Sequence, residues 1–115
     1  MRRGSNLEQL PLRPAVFHIL LALSNGELHG LGIADEVGRA SEGLIHLGPG
    51  TLYRSLDEMR DLDLIEKAAA PPVDADPRRK YYRITPGGKS LLRAELGRLQ
   101  RLVAHASGAV VPERA

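Results

Sequence analysis

The densest run of positive charge is Arg78-Arg79-Lys80, which follows the proline-punctuated stretch Pro71-Pro72-Val73-Asp74-Ala75-Asp76-Pro77. Cations clustered in this way can neutralise phosphates and release the counterions condensed on a polyanion. They can equally solubilise a strand edge and discourage pairing with another sheet. A second set, Thr51, Tyr53 and Arg54, follows Gly48-Pro49-Gly50. Hydroxyls at a helix start bond phosphate oxygens, although Thr51 and Tyr53 could also be ordinary capping and core residues. Tyr53 follows the apolar Leu52, so its ring is expected to be half-exposed. Arg54 can reach a phosphate or guanine O6 and N7. Arg60 is expected to pair with Asp57 or Glu58 on a solvated face. Asp57, Glu58 and Asp61 would repel phosphates, so they should point away from a polyanion or accept from cytosine N4–H.

Other chemistries lack their parts. There is no cysteine, which excludes disulfides, thiolate zinc sites and cysteine nucleophiles. Gly87-Gly88-Lys89-Ser90 imitates the end of a phosphate-binding loop, but that pattern needs glycine at position 83, where Arg83 stands. His18, His29, His46 and His105 show no ligand spacing. His18 and His105 lie on helices that could pack together, which keeps a metal- or haem-responsive role open as an alternative. No Ser/His/Asp arrangement or paired carboxylate is identifiable, so the expectation is no catalytic residue, no metal, no cofactor and no enzyme.

The elements that must position these residues follow from length and periodicity. At 115 residues the chain is one small domain, or one with an appended helix. Positions 26–66 carry three arginines against nine acids, whereas 67–90 carry six basic residues against two acids. Charge segregated in this way suggests one basic edge facing a polyanion. Only three Tyr, one Phe and no Trp are present, which argues against modules that stack bases on aromatic platforms. The longest apolar stretch, Ala15–Leu23, is too short for a membrane span, and no signal peptide is expected from the polar start. A cytoplasmic location without membrane association follows as an expectation.

Pro14 opens a predicted first helix with Val16, Phe17, Leu20 and Leu23 at helical spacing, closed by Asn25-Gly26. A second, glycine-weakened helix runs from about Gly30 to Ser41, with Leu31, Ala34 and Val37 on its packed side. Gly48 and Pro49 start a third, with a stripe of Leu52, Leu56, Met59 and Leu62 that ends near Asp61–Asp63. Ile65–Ala70 and Arg79–Thr85 form a predicted hairpin whose second strand is basic. Thr85 and Pro86 then cap and open a final helix of about 22 residues. Its seam of Leu92, Leu96, Leu99, Val103 and Ala106 recurs at heptad spacing. At ~1.5 Å per residue that helix outruns so small a core, so part of its apolar face needs a partner.

The predicted fold class is mainly α with a small β-hairpin, a winged helix-turn-helix plus a long C-terminal helix. The expected divisions are a flexible arm at 1–12, a DNA-binding domain at 13–85, a dimerisation helix at 86–108 and a tail at 109–115.

Three motifs carry a family resemblance. Gly48-Pro49-Gly50-Thr51-Leu52-Tyr53, followed by Leu56, Met59 and Asp63-Leu64-Ile65, resembles the recognition helix of PadR-like transcriptional regulators. So do His29-Gly30-Leu31-Gly32-Ile33 and the wing strand Arg79-Lys80-Tyr81-Tyr82-Arg83-Ile84-Thr85 with Gly88-Lys89. The resemblance implies a homodimeric, DNA-binding repressor that often responds to a small molecule. It places Thr51 and Tyr53 against the DNA backbone. Arg54 stands where many relatives have proline, and Asp63 where a glycine usually ends the recognition helix.

On this reading Thr51, Tyr53, Arg54, Arg78, Arg79 and Lys80 meet a two-fold symmetric DNA operator, and Leu92, Leu96, Leu99 and Val103 form the homodimer interface. A small hydrophobic effector is placed near Phe17 and Leu99. The half-sites are expected about one helical turn, ~34–36 Å, apart. A protein-binding winged helix with no duplex preference is the other alternative.

Overall fold

The computed structural model describes residues 9–73, 76–106, 108 and 110. Helix α1, Pro14–Leu23, starts where Pro14 has no N–H to lose, and it buries Val16, Ile19, Leu20, Ala22 and Leu23. Phe17 is only half-buried. Strand β1, Leu28–His29, leads directly into helix α2, Gly30–Ala40. The His29 imidazole caps this helix, its Nδ1 accepting from the Gly32 N–H at 3.1 Å. Gly30, Ile33 and Val37 form the buried stripe of α2. Leu31, expected on the packed side, is exposed. Turning about 100° per residue puts it off the stripe that Ile33 and Val37 define.

Helix α3, Pro49–Asp61, begins after Gly48 and buries Leu52, Ser55, Leu56 and Met59. Leu62 does not continue the stripe, because the chain turns there. Asp63 has φ +62°, its N–H bonds the Arg60 carbonyl, and the Leu64 N–H reaches back to the Met59 carbonyl. That pair of bonds is a Schellman stop, built here with aspartate in the left-handed position glycine usually takes. Leu64, one residue beyond the turn, is buried in place of Leu62.

Strands β2, Ile65–Ala68, and β3, Tyr81–Ile84, pair antiparallel with Ile65 opposite Ile84 and Ala68 opposite Tyr81. Both are shorter than the predicted hairpin arms, and the sheet has a third member. β1 pairs with the other edge of β3, His29 opposite Tyr81, giving the order β1-β3-β2. Two residues carry too little periodicity to announce a strand, so β1 was invisible in the sequence.

Helix α4, Pro86–His105, is 20 residues long, or about 30 Å. Thr85 caps it by accepting from the Gly88 N–H at 3.0 Å, and its hydroxyl donates to the Asp63 carbonyl at 2.7 Å. Gly88 lies so close to β2 that a Cβ there would overlap the Leu64 carbonyl oxygen. The first half of α4 buries Leu91, Leu92 and Glu95 in the core.

Residues 1–8 of the expected arm lie outside the described residues, as does the tail apart from Val110. Residues 10–12 are anchored. Leu10 and Leu12 pack against the core, and the Leu12 N–H donates to Glu95 at 3.0 Å.

Candidate nucleic-acid interface

Tyr53 and the basic run, about 25 positions apart in sequence, converge on one notch that Thr51 and Arg54 do not line. Tyr53 of α3, Arg78, Arg79 and Lys80 before β3, and His29, Gly30 and Leu31 at the head of α2 line a cavity of about 470 Å³ with Asp76. The β1–β3 pairing builds it, because the His29–Tyr81 register draws the start of α2 up to the basic run. The His29 and Tyr81 rings meet edge to face, 5.3 Å between centroids. Tyr53 is 45% exposed, as expected, and its hydroxyl lies against Gly30 so closely that only a hydrogen fits there.

The notch has the chemistry of an anion seat. Three cationic side chains and a phenol hydroxyl surround it, and the α2 N-terminus contributes the positive end of a helix dipole. His29 adds to this. Its Nδ1 accepts a hydrogen bond, so the neutral ring carries its proton on Nε2 and remains a donor. Sequence reasoning did not assign His29, Gly30 or Leu31 to the site. No sequence signal announces their part in it, because it depends on the two-residue strand β1.

The cations differ in availability. Arg78 is held by Asp76, with Nε 3.2 Å from Oδ1, but remains mostly exposed. Lys80 and Arg54 make no ion pair among the described residues. Arg83 is tied to Glu66 at 2.7 Å and to Glu27 at 3.5 Å. The hydrogen bond from its guanidinium to Glu66, with that carboxylate's charge, raises the Arg83 pKa. This part of the wing is neutralised from within, whereas Lys80 makes no ion pair among the described residues.

On α3 the buried residues Leu52, Ser55, Leu56 and Met59 define one side. At 100° per residue the opposite ridge is Gly50, Arg54, Asp57 and Asp61, flanked by Tyr53 and Thr51. All six are exposed. Arg60 does not pair as expected. Glu58 is taken by Arg13, 2.5 Å away at the start of α1, and no ion pair joins Arg60 to Asp57. Arg60, like Tyr53 and Asp57, lies near enough to Tyr82 for its charge to act on it. Burial is the main cause that pushes the Tyr82 hydroxyl pKa up; the charges of Tyr53 and Asp57 add to it and Arg60 opposes it.

The expected dimer seam divides. Leu92 belongs to the protomer core, because Leu91 and Leu92 together turn the first half of α4 inward. Leu99 is half-buried, and Leu96, Leu102 and Val103 are 37%, 54% and 56% exposed. The available apolar surface therefore starts at Leu96.

The notional effector pair, Phe17 and Leu99, lines none of the cavities found at the notch or along the α1–α2 cleft. That cleft includes a recess of about 100 Å³ walled by His18, Asn25 and Glu36, where the His18 Nδ1 has no hydrogen-bond partner among the described residues. Among the described residues no group of three His, Asp or Glu could hold a metal ion, and no helix is long and apolar enough to cross a membrane.

Three packed helices followed by a β-wing, with a polar ridge on the third helix and cations at the wing, define a winged helix-turn-helix protein. Residues 19–94 match the transcriptional regulator PadR-like family, and the chain belongs to that family. The uncharacterized 37.1 kDa protein in transposon TN4556 of Streptomyces fradiae is 30% identical over 95 residues, 83% of this chain and 26% of that protein. The chain thus spans about a quarter of that relative's length. Among solved structures, a PadR-like transcriptional regulator from Bacillus cereus aligns with TM-score 0.68 at 22% identity, covering 85% of this chain and 92% of that one. Bacillus subtilis PadR in complex with operator DNA aligns with TM-score 0.62 at 23% identity, covering 91% of this chain and 54% of that one.

Proposed function

We propose that this regulator is a homodimeric repressor that binds a two-fold symmetric duplex operator, with α3 in the major groove and the notch seated on a flanking phosphate. The observation that carries the reading is the convergence of Tyr53 with Arg78, Arg79 and Lys80 at one end of an unencumbered polar ridge. A phosphate in the notch fixes the register of α3, and the ridge then reads base edges. The family likeness supports this, as does the operator complex formed by the Bacillus subtilis protein.

Two copies joining through Leu96, Leu99, Leu102 and Val103 would cover the apolar half of α4 that the protomer leaves open. A small-molecule effector then acts by favouring one spacing of the paired recognition helices over another. Binding, not catalysis, is the role. Gly87 and Gly88, which imitate a phosphate loop, instead let α4 pack on the Asp63–Leu64 backbone. Such a regulator works where the chromosome is, in the cytoplasm.

Selection of bound duplexes from a random pool at stated salt tests the proposal, followed by titrations of the selected operator across ionic strengths. A pseudo-palindromic site is the expected result. Lys80→Ala should weaken binding to every duplex alike and reduce the salt slope by about one, as for one lost phosphate contact. A chain that enriches no sequence, even at low salt, overturns the reading.

A further inference from the structure

The outer ridge of α3 presents an arginine and then an acid: Arg54 and Asp57, three residues apart and both exposed. Neither has an ion pair among the described residues. The other acids of this helix are accounted for. Glu58 is bound by Arg13, and Asp61 is the last helical residue, beyond the first turns that reach base edges. Asp57 alone places a free carboxylate where the major groove would lie. A carboxylate there is repelled by both phosphate strands, and it can only accept hydrogen bonds.

The groove offers two kinds of base donor, cytosine N4–H and adenine N6–H. Adenine N6 lies between two acceptors, its own N7 and thymine O4, which oppose a carboxylate. Cytosine N4 has an acceptor on one side only, the guanine O6. Side chains three apart on a helix are about 5–6 Å apart at Cβ, and successive base pairs rise by about 3.4 Å. One residue pair therefore spans one or two base-pair steps.

We infer that Arg54 and Asp57 form a two-residue reader, with Arg54 donating to guanine O6 and N7 and Asp57 accepting from cytosine N4–H one or two base pairs away. Each operator half-site then contains a guanine and a cytosine at that separation. Asp57 also acts as a filter: its charge disfavours every duplex that does not present the cytosine, so it lowers non-specific affinity while sharpening choice. This inference rests on the proposed DNA-binding function.

The test is duplex selection with wild type, Asp57→Asn, Asp57→Ala and Arg54→Ala, with thermal melts to confirm that these surface variants fold. Wild type should enrich the spaced guanine and cytosine. Asp57→Asn should move the cytosine position to adenine, since an amide pairs with adenine N6 and N7. Asp57→Ala should bind random duplex more tightly, yet lose about tenfold discrimination at that position. Arg54→Ala should lose preference only at the guanine. If wild type selects an operator and the Asp57 variants select the same one, changing affinity equally on all sequences, the two-residue reader is wrong and the DNA-binding proposal stands. If wild type selects nothing, both fall.

Discussion

Replacing Gly30 with alanine separates the packing of Tyr53 from its proposed contact with DNA. A Cβ at Gly30 would overlap the Tyr53 hydroxyl and stand 3.0 Å from Cζ and 3.2 Å from Cε1. Non-bonded carbons rest at about 3.5–4.0 Å, so the ring must withdraw by roughly 0.5–1 Å. It can do so cheaply, because it is the exposed end of a flexible side chain. Alanine is also a better helix former than glycine, by at most about 1 kcal/mol. The melting temperature should therefore hold or rise slightly. Operator affinity should fall, because a hydrogen bond to a charged group is worth about 1.5–3 kcal/mol, or tenfold and more in binding. Anisotropy titrations on the selected operator at fixed salt, run beside thermal melts, measure the two effects. Tyr53→Phe should show a similar loss of affinity, and adding Gly30→Ala to it should cost little more. Unchanged affinity in Gly30→Ala would refute the notch as a phosphate seat. Fully additive losses would show that Gly30 acts by some route other than Tyr53.

The same alanine substitution at Gly88 should behave oppositely. Its Cβ would meet the Leu64 carbonyl oxygen and come within 2.8 Å of Ile84 Cγ1, and backbone cannot swing aside. A loss of about 2–3 kcal/mol is expected in urea unfolding, with binding impaired only as far as folding is. Val103→Asp introduces charge into the exposed apolar half of α4 and should yield monomers by sedimentation equilibrium; a persistent dimer would place the interface elsewhere. Glu95 is 3% exposed, and its carboxyl pKa is lowered from the ordinary 4.5, chiefly by hydrogen bonds from Arg98 and also by the Leu12 N–H, with burial opposing. A lowered folded-state pKa stabilises the protein above pH 4.5, and that stability disappears as pH falls through the lowered value. Glu95→Gln should be less stable near neutrality, and the gap to wild type should narrow in acid; a gap that persists would assign the loss to packing.

Much of this architecture was legible because local signals agreed with the fold. Pro14, Gly48-Pro49 and Thr85-Pro86 start helices where the structure starts them. Asp63, conspicuous in the sequence as a non-glycine at a helix stop, does take the left-handed conformation. The failures have two causes, one local and one non-local. Leu31 is off the stripe that Ile33 and Val37 set, and Leu62 falls where the Asp63 turn ends the helix. Arg60 had two acids nearby on its own helix. Arg13, distant in sequence, takes Glu58, and Arg60 makes no ion pair with Asp57. The notch was half-legible. Its cations and Tyr53 were identified separately, but their meeting with His29 depends on a two-residue strand that only the β3 edge makes stable.

In the proposed dimer, non-local bonds would carry a change at α4 to the DNA. The end of α3 and the start of α4 share one joint, because Thr85 bonds the Asp63 carbonyl through its hydroxyl and the Leu64 carbonyl through its N–H. Gly88 closes that joint without a gap. A second strut runs from Glu95 of α4 to the Leu12 N–H, and the next residue, Arg13, grips Glu58 on α3. These two attachments tie α3 to α4, the outer one through an exposed ion pair worth at most about 1 kcal/mol. In the proposed dimer, a ligand that altered the angle between paired α4 helices would carry both α3 helices with it, and operator spacing is what it would change. Severing the outer strut with Arg13→Ala should leave one attachment intact, so the protein would still dimerise and bind its operator. It should also tolerate half-sites respaced by one base pair better than wild type does. Equal intolerance in both proteins would show that the Thr85 joint alone holds α3.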